Sequence, residues 1–519
     1  MSTAYVNAAI YTGDPERPWV SSLVERDGVV VAVGDDDATA DEVAVADEVV
    51  DVGGRMIMPG VHDAHTHLVS GLNRWEVSFA PDAGETEIVA ALRAWDGPRP
   101  VDTQGNRWLV GGRYWPEALG ENGPDRAFLD EAFPDEPVML HDRSAHNVLV
   151  NARALELAGI DASTPDTKNG KVVRDADGRV TGELYEQARW PIFRVMGVHD
   201  DDVMGLAVRH ARDLNHRYGV TSVQDASSTA QLLRVLRSLD ESDELGLHVA
   251  AHLVWREESF GMAGLDELDR MIDHHDDYAS RHVDTRFVKF WLDGSPIPPY
   301  WTHSCIHDDG TVDEEHLLIP QDEMNAAMVR FDAAGLTVKV HCGGEGAVRR
   351  ALDAVEHARA TNGPDGPRHE LAHCCLVDAA DFGRFAPLRV GAEMSPAVWH
   401  LAEHDVSHLY EFDTVVASGA EMTFGTDWSV ADTPNLFPAL QGAIQHGDHS
   451  IDLATGLAAM TINGARAVGH DDRRGTLVPG KAADLIVLDR NLFEVPIDEI
   501  GDAVVLRTVV GGRTVHDLM

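Results

Sequence analysis

Short apolar runs alternate with longer amphipathic segments through the middle of the chain. In segments such as 321–334, 345–360 and 378–385, apolar residues recur three and four positions apart, which predicts α-helices. This alternation favours βαβ units, and eight of them predict an α/β fold, a (β/α)8 TIM-type barrel whose active site lies at the carboxyl ends of its strands. The predicted barrel strands are 57–67, 220–225, 247–254, 286–293, 336–341, 370–373, 390–395 and 421–427.

The two chain ends and one long internal stretch depart from this alternation. Short strands punctuated by glycine predict a small β-sandwich domain built from residues 1–57 and 475–519 together. Residues 71–215 are too many for one crossover helix, and loops of that length are uncommon without structure of their own. They predict a subdomain that is inserted after the first barrel strand and lies over the barrel mouth. The barrel itself would comprise residues 58–70 and 216–474.

Acidic residues outnumber basic ones by 87 to 42, which gives a formal net charge of −45, and only five residues are lysines. Such self-repulsion opposes compaction unless salt screens it, so we expect adaptation to a salt-filled cytosol, as in an extreme halophile. The acidic surface would also repel nucleic acid. No apolar run reaches the roughly 18 residues of a membrane span, and the N-terminus lacks a signal-peptide pattern. We therefore expect a cytoplasmic protein that acts on a small molecule and binds neither nucleic acid nor membranes.

The candidates for chemistry stand near the carboxyl ends of the predicted barrel strands. His65 and His67 end the first strand, where side chains two residues apart share a face and can reach one metal ion. Taken alone, this pair is a weak signal in a chain with 27 histidines. Metal-ligand and proton-handling residues recur on four further strands, however, and the set predicts a metal centre with an activated water. These further candidates are Lys289, His341, His373 and Asp427.

Each candidate also has a purely structural interpretation. A single histidine is more often a hydrogen-bonded core residue than a ligand, and Asp427 could merely cap the segment that follows it. Lys289 is harder to explain in this way, because the sequence FVKFW would bury its ammonium group among apolar side chains. Such burial is costly unless the charge is paired or neutralised. The recurrence of candidates at five strand ends favours one shared site over coincidence.

A series of motifs spans nearly the whole chain: MPGVHDAHTHL, TGELYE, GVTSVQD, VKFWLDGS, GTDW and the closing GTLVPGKAADLIVLD. Together they resemble the amidohydrolase superfamily of metal-dependent hydrolases, in its family 3 branch, which includes YtcJ-like proteins and N-substituted formamide deformylases. By this resemblance, His65 and His67 bind a first divalent metal, and His341 and His373 bind a second. Lys289 would bridge the two as a carbamate formed with CO₂.

The resemblance further implies that Asp427 binds the first metal and transfers the proton. The metal is expected to be Zn²⁺, with Mn²⁺ or Fe²⁺ as alternatives, and either one or two ions would bind. Many members of the superfamily are dimers, so a homodimer is also expected.

The expected reaction is hydrolysis of a non-peptide carbon–nitrogen bond, such as that of an amide or formamide, by a metal-activated water. We expect the inserted segment to contact the rest of the substrate through His146, Glu183 and Trp115. The same water could instead attack an ester, a lactone or a phosphoester. A barrel that assembles with other proteins and lacks catalysis is a further alternative, whose expected mark would be missing ligand residues.

Overall fold

The fold is centred on a sheet of eight parallel strands. The computed structural model describes residues 1–120, 123–144, 146–257, 264–296, 302–397 and 408–519. The eight strands alternate with helices and form a nearly closed barrel, which confirms the predicted TIM-type fold. In chain order the barrel strands are Val61–Thr66, Val220–Ser228, His248–Val254, Val283–Trp291, Thr337–Cys342, His369–His373, Val390–Met394 and Glu421–Phe424.

The first and last barrel strands meet just beyond the end of the last strand. The Asp427 amide donates to the His65 carbonyl at 2.7 Å, and the His67 amide donates to the Trp428 carbonyl at 2.9 Å. These two backbone hydrogen bonds close the barrel at its carboxyl-terminal rim.

Amphipathic helices surround the barrel and bury one face against it. In Ala230–Glu241, for example, the buried residues Leu232, Leu236 and Leu239 belong to the main hydrophobic core. Their three- to four-residue spacing is the pattern expected of one buried helix face. The helices of this layer are Asp201–Arg217, Ala230–Glu241, Leu265–Asp273, Gln321–Ala333, Glu345–Asn362, Phe382–Leu388, Phe412–Ala417, Phe437–Ile444, Leu453–Ala459 and Ile462–Ala467.

Two predicted elements differ in the structure. The predicted helix 378–385 begins later, as Phe382–Leu388, because Asp378 forms a turn in which its Oδ1 accepts from the Ala380 amide at 2.9 Å. The predicted strand 57–67 is divided at Gly60 between two sheets, Met56–Pro59 in one and Val61–Thr66 in the barrel.

Gly60 allows this division because the backbone passes very close to the second barrel strand. A Cβ atom at Gly60 would lie 2.3 Å from Thr221 Oγ1, closer than any side chain can be accommodated without movement. A continuous apolar run in the sequence cannot reveal that the chain changes sheets there.

Both chain ends contribute strands to the same sheet. Met56–Pro59 pairs antiparallel with Leu485–Leu488, so that Ile57 lies opposite Val487. A separate four-stranded sheet shares a hydrophobic core with the six-stranded sheet. The helix Asp36–Ala44 packs against the four-stranded sheet. The six-stranded sheet is ordered Arg513–Asp517, Val505–Val510, Leu485–Leu488, Met56–Pro59, Ala9–Tyr11 and Trp19–Val20, and the four-stranded sheet Val29–Gly34, Ser22–Arg26, Ser2–Val6 and Glu48–Asp51.

A fourth sheet is formed by residues that follow the first barrel strand and precede helix Asp201–Arg217 in the sequence. Its two faces belong to different hydrophobic clusters, since Met139 packs in one and Leu140 in the other. Helix Asp201–Arg217 packs instead into the barrel core, through residues such as Met204 and Val208. The sheet is ordered Val172–Arg174, Val180–Tyr185, Asn147–Val150, Val138–Asp142, Leu109–Tyr114 and Val77–Ser78, and its helices are Glu85–Ala94, Ala127–Ala132, Ala152–Ala158 and Trp190–Met196.

Within the described ranges, no helix combines the length and the apolar character that crossing a membrane requires.

The surface carries a large excess of carboxylates. Exposed ion pairs such as Arg26–Glu42, at 2.7 Å, are present, but 87 acidic residues against 42 basic ones leave an excess of 45 negative charges. Their mutual repulsion raises the free energy of the folded state at low ionic strength and is screened within about 3 Å at 1 M salt.

We therefore predict that thermal stability rises with salt. The unfolding midpoint, followed by circular dichroism, should increase by several degrees between about 0.1 M and about 2 M KCl, where roughly 2 °C corresponds to 1 kcal/mol. Sucrose of equal osmotic strength serves as a control that does not screen charge. A midpoint that is the same at both salt concentrations would contradict the prediction.

Candidate metal centre

The six sequence-predicted site residues line one cavity of about 350 Å³ at the carboxyl-terminal end of the barrel. The strand geometry explains this, because all parallel strands deliver their last residues to the same rim. The first, fourth, fifth and sixth barrel strands and the segment after the eighth contribute the residues. They are His65, His67, Lys289, His341, His373 and Asp427.

Asp427 lies closest to the two histidines of the first strand. Its Oδ1 is 3.2 Å from His67 Nε2 and 3.7 Å from His65 Nε2. Lys289 Nζ lies 3.5 Å from the same His65 nitrogen. Three strands therefore bring nitrogen and oxygen donors to one point.

The other two histidines, His373 and His341, are connected to His65 by a series of ring contacts. The His373 ring is 4.5 Å from the His65 ring and 4.5 Å from the His341 ring, measured between centroids. His341 stacks on Trp291 at 4.8 Å, and its Nε2 lies 3.4 Å from the Gly294 carbonyl.

Two of these residues have a left-handed backbone, which residues other than glycine rarely adopt. The φ angle is 71° at His373 and 49° at Asp427. At Asp427, the hydrogen bond from its amide to the His65 carbonyl holds the backbone in this conformation. Such conformations cluster at functional sites, where the surrounding structure imposes them.

Burial sets the charge state of the site. It lowers the pKa of His65 and His341 well below the ordinary range, with further contributions from neighbouring groups that include Lys289, and lowers the pKa of His373 to about 3. These imidazoles are thus neutral near pH 7, the form that binds metal. Burial raises the pKa of Asp427, but the hydrogen bond from His67 and the nearby cationic groups outweigh it and lower the pKa overall. Asp427 is therefore ionised.

The structure reveals a carboxylate that the sequence interpretation missed. His65 Nδ1 shares a hydrogen bond with Glu393 Oε2 at 2.6 Å, which leaves His65 Nε2 to face the cavity. The same carboxylate accepts from the His373 amide at 3.2 Å and from Ser395 Oγ at 3.0 Å. A carboxylate in this position fixes the tautomer and orientation of a metal-binding histidine.

Hydroxyl groups orient His67 and His373. Ser227 Oγ lies 2.7 Å from His67 Nδ1, and Ser395 Oγ lies 3.2 Å from His373 Nδ1. Glu393 and Ser395 are two residues apart near the end of the seventh barrel strand. Applying the alternation that singled out His65 and His67 to this strand would have found both.

The three residues expected to contact substrate lie in different surroundings. His146 lines the cavity, with its Nδ1 2.9 Å from Glu186 Oε1 and its ring 6.1 Å from the His341 ring. Glu183 accepts a hydrogen bond from Tyr185 Oη at 2.9 Å, and Trp115 packs against the Arg143 guanidinium at 5.7 Å. Neither Glu183 nor Trp115 is among the described residues that line this cavity.

The donor set fits a divalent metal. Donor atoms of His65, His67 and Asp427 all lie within 4.8 Å of one another, as do those of His65, His373 and Glu393. Neutral imidazole with one carboxylate is a donor combination typical of catalytic zinc sites. In the second group, Glu393 is already hydrogen-bonded to His65 Nδ1, so its chemistry is that of an orienting group.

The sequence is similar along its whole length to known hydrolases. The amidohydrolase family model matches residues 48–516. The chain is 26% identical to the N-substituted formamide deformylase of Arthrobacter pascens over 549 residues, covering 98% of this chain and 97% of that protein. It is 22% identical to the putative amidohydrolase YtcJ of Bacillus subtilis, and the alignment covers all of both proteins.

A solved structure shares the fold. An uncharacterized metal-dependent hydrolase from Pyrococcus horikoshii aligns with a TM-score of 0.76 and 23% identity, covering 96% of this chain and 100% of that one. The resemblance inferred from the motifs is confirmed by the family match, which includes every barrel strand. The chain is therefore a hydrolase of the amidohydrolase family.

Proposed function

We propose that the protein hydrolyses a carbon–nitrogen bond other than a peptide bond, such as that of an amide or formamide, with a divalent metal as cofactor. The observation that carries this proposal is the convergence of four histidines and the ionised Asp427 on one cavity, where burial keeps His65, His341 and His373 neutral. Similarity to a formamide deformylase supports the choice of bond. The cavity volume of about 350 Å³ suits a small-molecule substrate.

We assign His65, His67 and Asp427 to a first metal and His341 and His373 to a second. Zn²⁺ suits this nitrogen-rich donor set, and Mn²⁺ or Fe²⁺ are alternatives. When bound, the metal would lower the pKa of a water molecule towards about 7 and polarise the scissile carbonyl.

Lys289 is proposed to carry a carbamate, whose oxygens would help to hold the metal. Its Nζ lies 3.5 Å from His65 Nε2 and is fully enclosed by the barrel. An ammonium group there would repel metal cations, whereas a carbamate is an anion that they stabilise. Carboxylation thus resolves the cost of burying this lysine.

Asp427 is proposed to move the proton. It is ionised and lines the cavity, so it can accept a proton from the attacking water and return it to the departing nitrogen. Its hydrogen bond to His67 fixes the carboxylate at the end of the first barrel strand.

The inserted segment is proposed to hold the rest of the substrate. Its residues Arg113, His141, His146 and Phe193 line the same cavity as the barrel residues. Within this wall, the His146 ring lies 6.1 Å from the His341 ring.

We predict that Asp427→Asn abolishes turnover. An amide cannot accept the proton, so kcat should fall by about 100- to 10,000-fold, the range that general-base catalysis contributes. The measurement is release of formate from N-benzylformamide by protein loaded with Zn²⁺ or Mn²⁺ in high salt. Metal content, determined by elemental analysis, should persist because four histidines remain. Full activity in this variant would refute the role of Asp427.

The type of bond that the protein hydrolyses is tested by measuring turnover of a panel of formamides, cyclic amides, lactones and aryl esters. Turnover of formamides or cyclic amides supports the proposal. Turnover of lactones or esters alone would replace it with an esterase or lactonase. A protein that binds no stoichiometric metal and hydrolyses nothing would be a non-catalytic barrel.

We also predict that Glu393→Gln weakens metal binding. Glutamine keeps one acceptor oxygen but loses the negative charge, so it orients the His65 ring less strongly, and such changes typically cost about 10- to 100-fold in affinity. Competition with a fluorescent chelator measures the change. Glu356→Gln is the matched control, because Glu356 is exposed on a barrel helix and is not among the described residues that line the cavity. Equal affinities for the two variants would show that Glu393 does not support the site.

A further inference from the structure

Arg113 occupies an irregular position in the inserted sheet. Where Leu109–Tyr114 pairs with Val138–Asp142, Gly112 lies opposite His141 and Tyr114 lies opposite Asp142, so Arg113 has no partner in the register. Its φ angle of 78° is in the left-handed region. A bulge of this kind redirects a side chain and is frequent beside active sites. The redirected side chain lines the catalytic cavity.

The guanidinium of Arg113 has few partners within the protein. Its hydrogen bond to the Arg143 carbonyl is long, at 3.5 Å, and within the described ranges no carboxylate oxygen lies within 4.0 Å of its nitrogens. Burial, followed by the positive charge of Arg143, lowers its pKa to about 10. Arginine offers five N–H donors, so most of its hydrogen-bonding capacity is available to a ligand.

Within the described ranges, no carboxylate on the cavity wall forms an ion pair with Arg113. Arg189 also lines the cavity and packs against the Phe193 ring at 5.4 Å, which adds a second positive charge. Glu76 lines the cavity too, but burial alone raises its pKa to about 7, so it is not paired with Arg113. The charges of Asp432, Asp142 and Asp427 act on Arg113 in the opposite sense to burial and offset the lowering of its pKa only in part. Arg113 and Asp427 line the same cavity.

We propose that Arg113 binds a carboxylate of the substrate, so that the substrate is an amide or formamide that bears a carboxylate near the scissile bond. This inference rests on the proposed function. A planar guanidinium binds a carboxylate through two parallel hydrogen bonds. Phe193 and Met196 provide an apolar wall for the substrate's side chain. The substrate class is therefore an N-acylated or N-formylated amino acid with an apolar side chain.

The test compares two probes that differ by one carboxylate. N-formylphenylalanine, as both enantiomers, carries the anion, and N-formyl-2-phenylethylamine lacks it. We expect full-length, metal-loaded protein in high salt to hydrolyse one enantiomer of N-formylphenylalanine efficiently. Its kcat/KM should be at least about 10-fold higher than the kcat/KM for the neutral N-formyl-2-phenylethylamine.

Arg113→Gly removes the guanidinium and suits the left-handed backbone, so the variant is expected to fold. Its kcat/KM for the acid should fall about 10- to 100-fold further than its kcat/KM for the neutral probe. Arg113→Lys keeps the charge but not the two parallel hydrogen bonds, and should fall between. Arg153→Gln, on an exposed helix of the same segment, is the matched control and should behave like wild type.

Calorimetric binding of both probes separates the two possible failures. If neither probe is hydrolysed but Arg113→Gly still weakens binding of the acid alone, the proposed reaction fails and the carboxylate site stands. If Arg113→Gly changes both probes equally, or neither, the carboxylate site is refuted whether or not formamides are hydrolysed.

Discussion

The contact between the first and last barrel strands is the constraint on which the candidate site depends. The hydrogen bond from the Asp427 amide to the His65 carbonyl both closes the barrel and places the Asp427 carboxylate against His67. Beneath it, the buried Asp63 accepts from the Thr426 amide and hydroxyl at 2.9 and 2.5 Å and from the His65 amide at 3.1 Å. The same contact therefore closes the barrel and assembles the site. It requires Asp427 to adopt a left-handed backbone conformation, which is unfavourable for a residue other than glycine.

Below the site, the barrel interior contains a second buried lysine whose charge is fully accommodated. Lys339 lies beside Lys289 in the strand register, and its Nζ donates to the Ala64 carbonyl and to Gln224 Oε1, both at 2.5 Å. Glu370 lies 3.5 Å away. Among the described residues, the Lys289 Nζ instead contacts His65 Nε2 at 3.5 Å. The two neighbouring lysines thus differ in their surroundings, because Lys339 contacts oxygen acceptors and Lys289 contacts a candidate metal ligand.

The sequence predicted the features that follow from strand periodicity. The convergence of His65, His67, His341 and His373 could be predicted because parallel barrel strands all end on one rim. No further information about the fold was needed. Features that depend on register or close approach could not be predicted. The division at Gly60 depends on the proximity of Thr221, and the exposure of Arg113 to the cavity depends on a bulge that no periodicity encodes. Glu393 was predictable in principle, because a lone carboxylate in a buried strand needs a partner.

The pairing of the two chain ends has a consequence for synthesis. Met56–Pro59 takes its antiparallel partner from Leu485–Leu488, so that edge of the sheet stays unpaired until more than four-fifths of the protein has left the ribosome. An open strand edge can pair with other chains. The high negative charge of the nascent chain would then repel neighbouring chains and oppose their aggregation until the C-terminal strands have been synthesised.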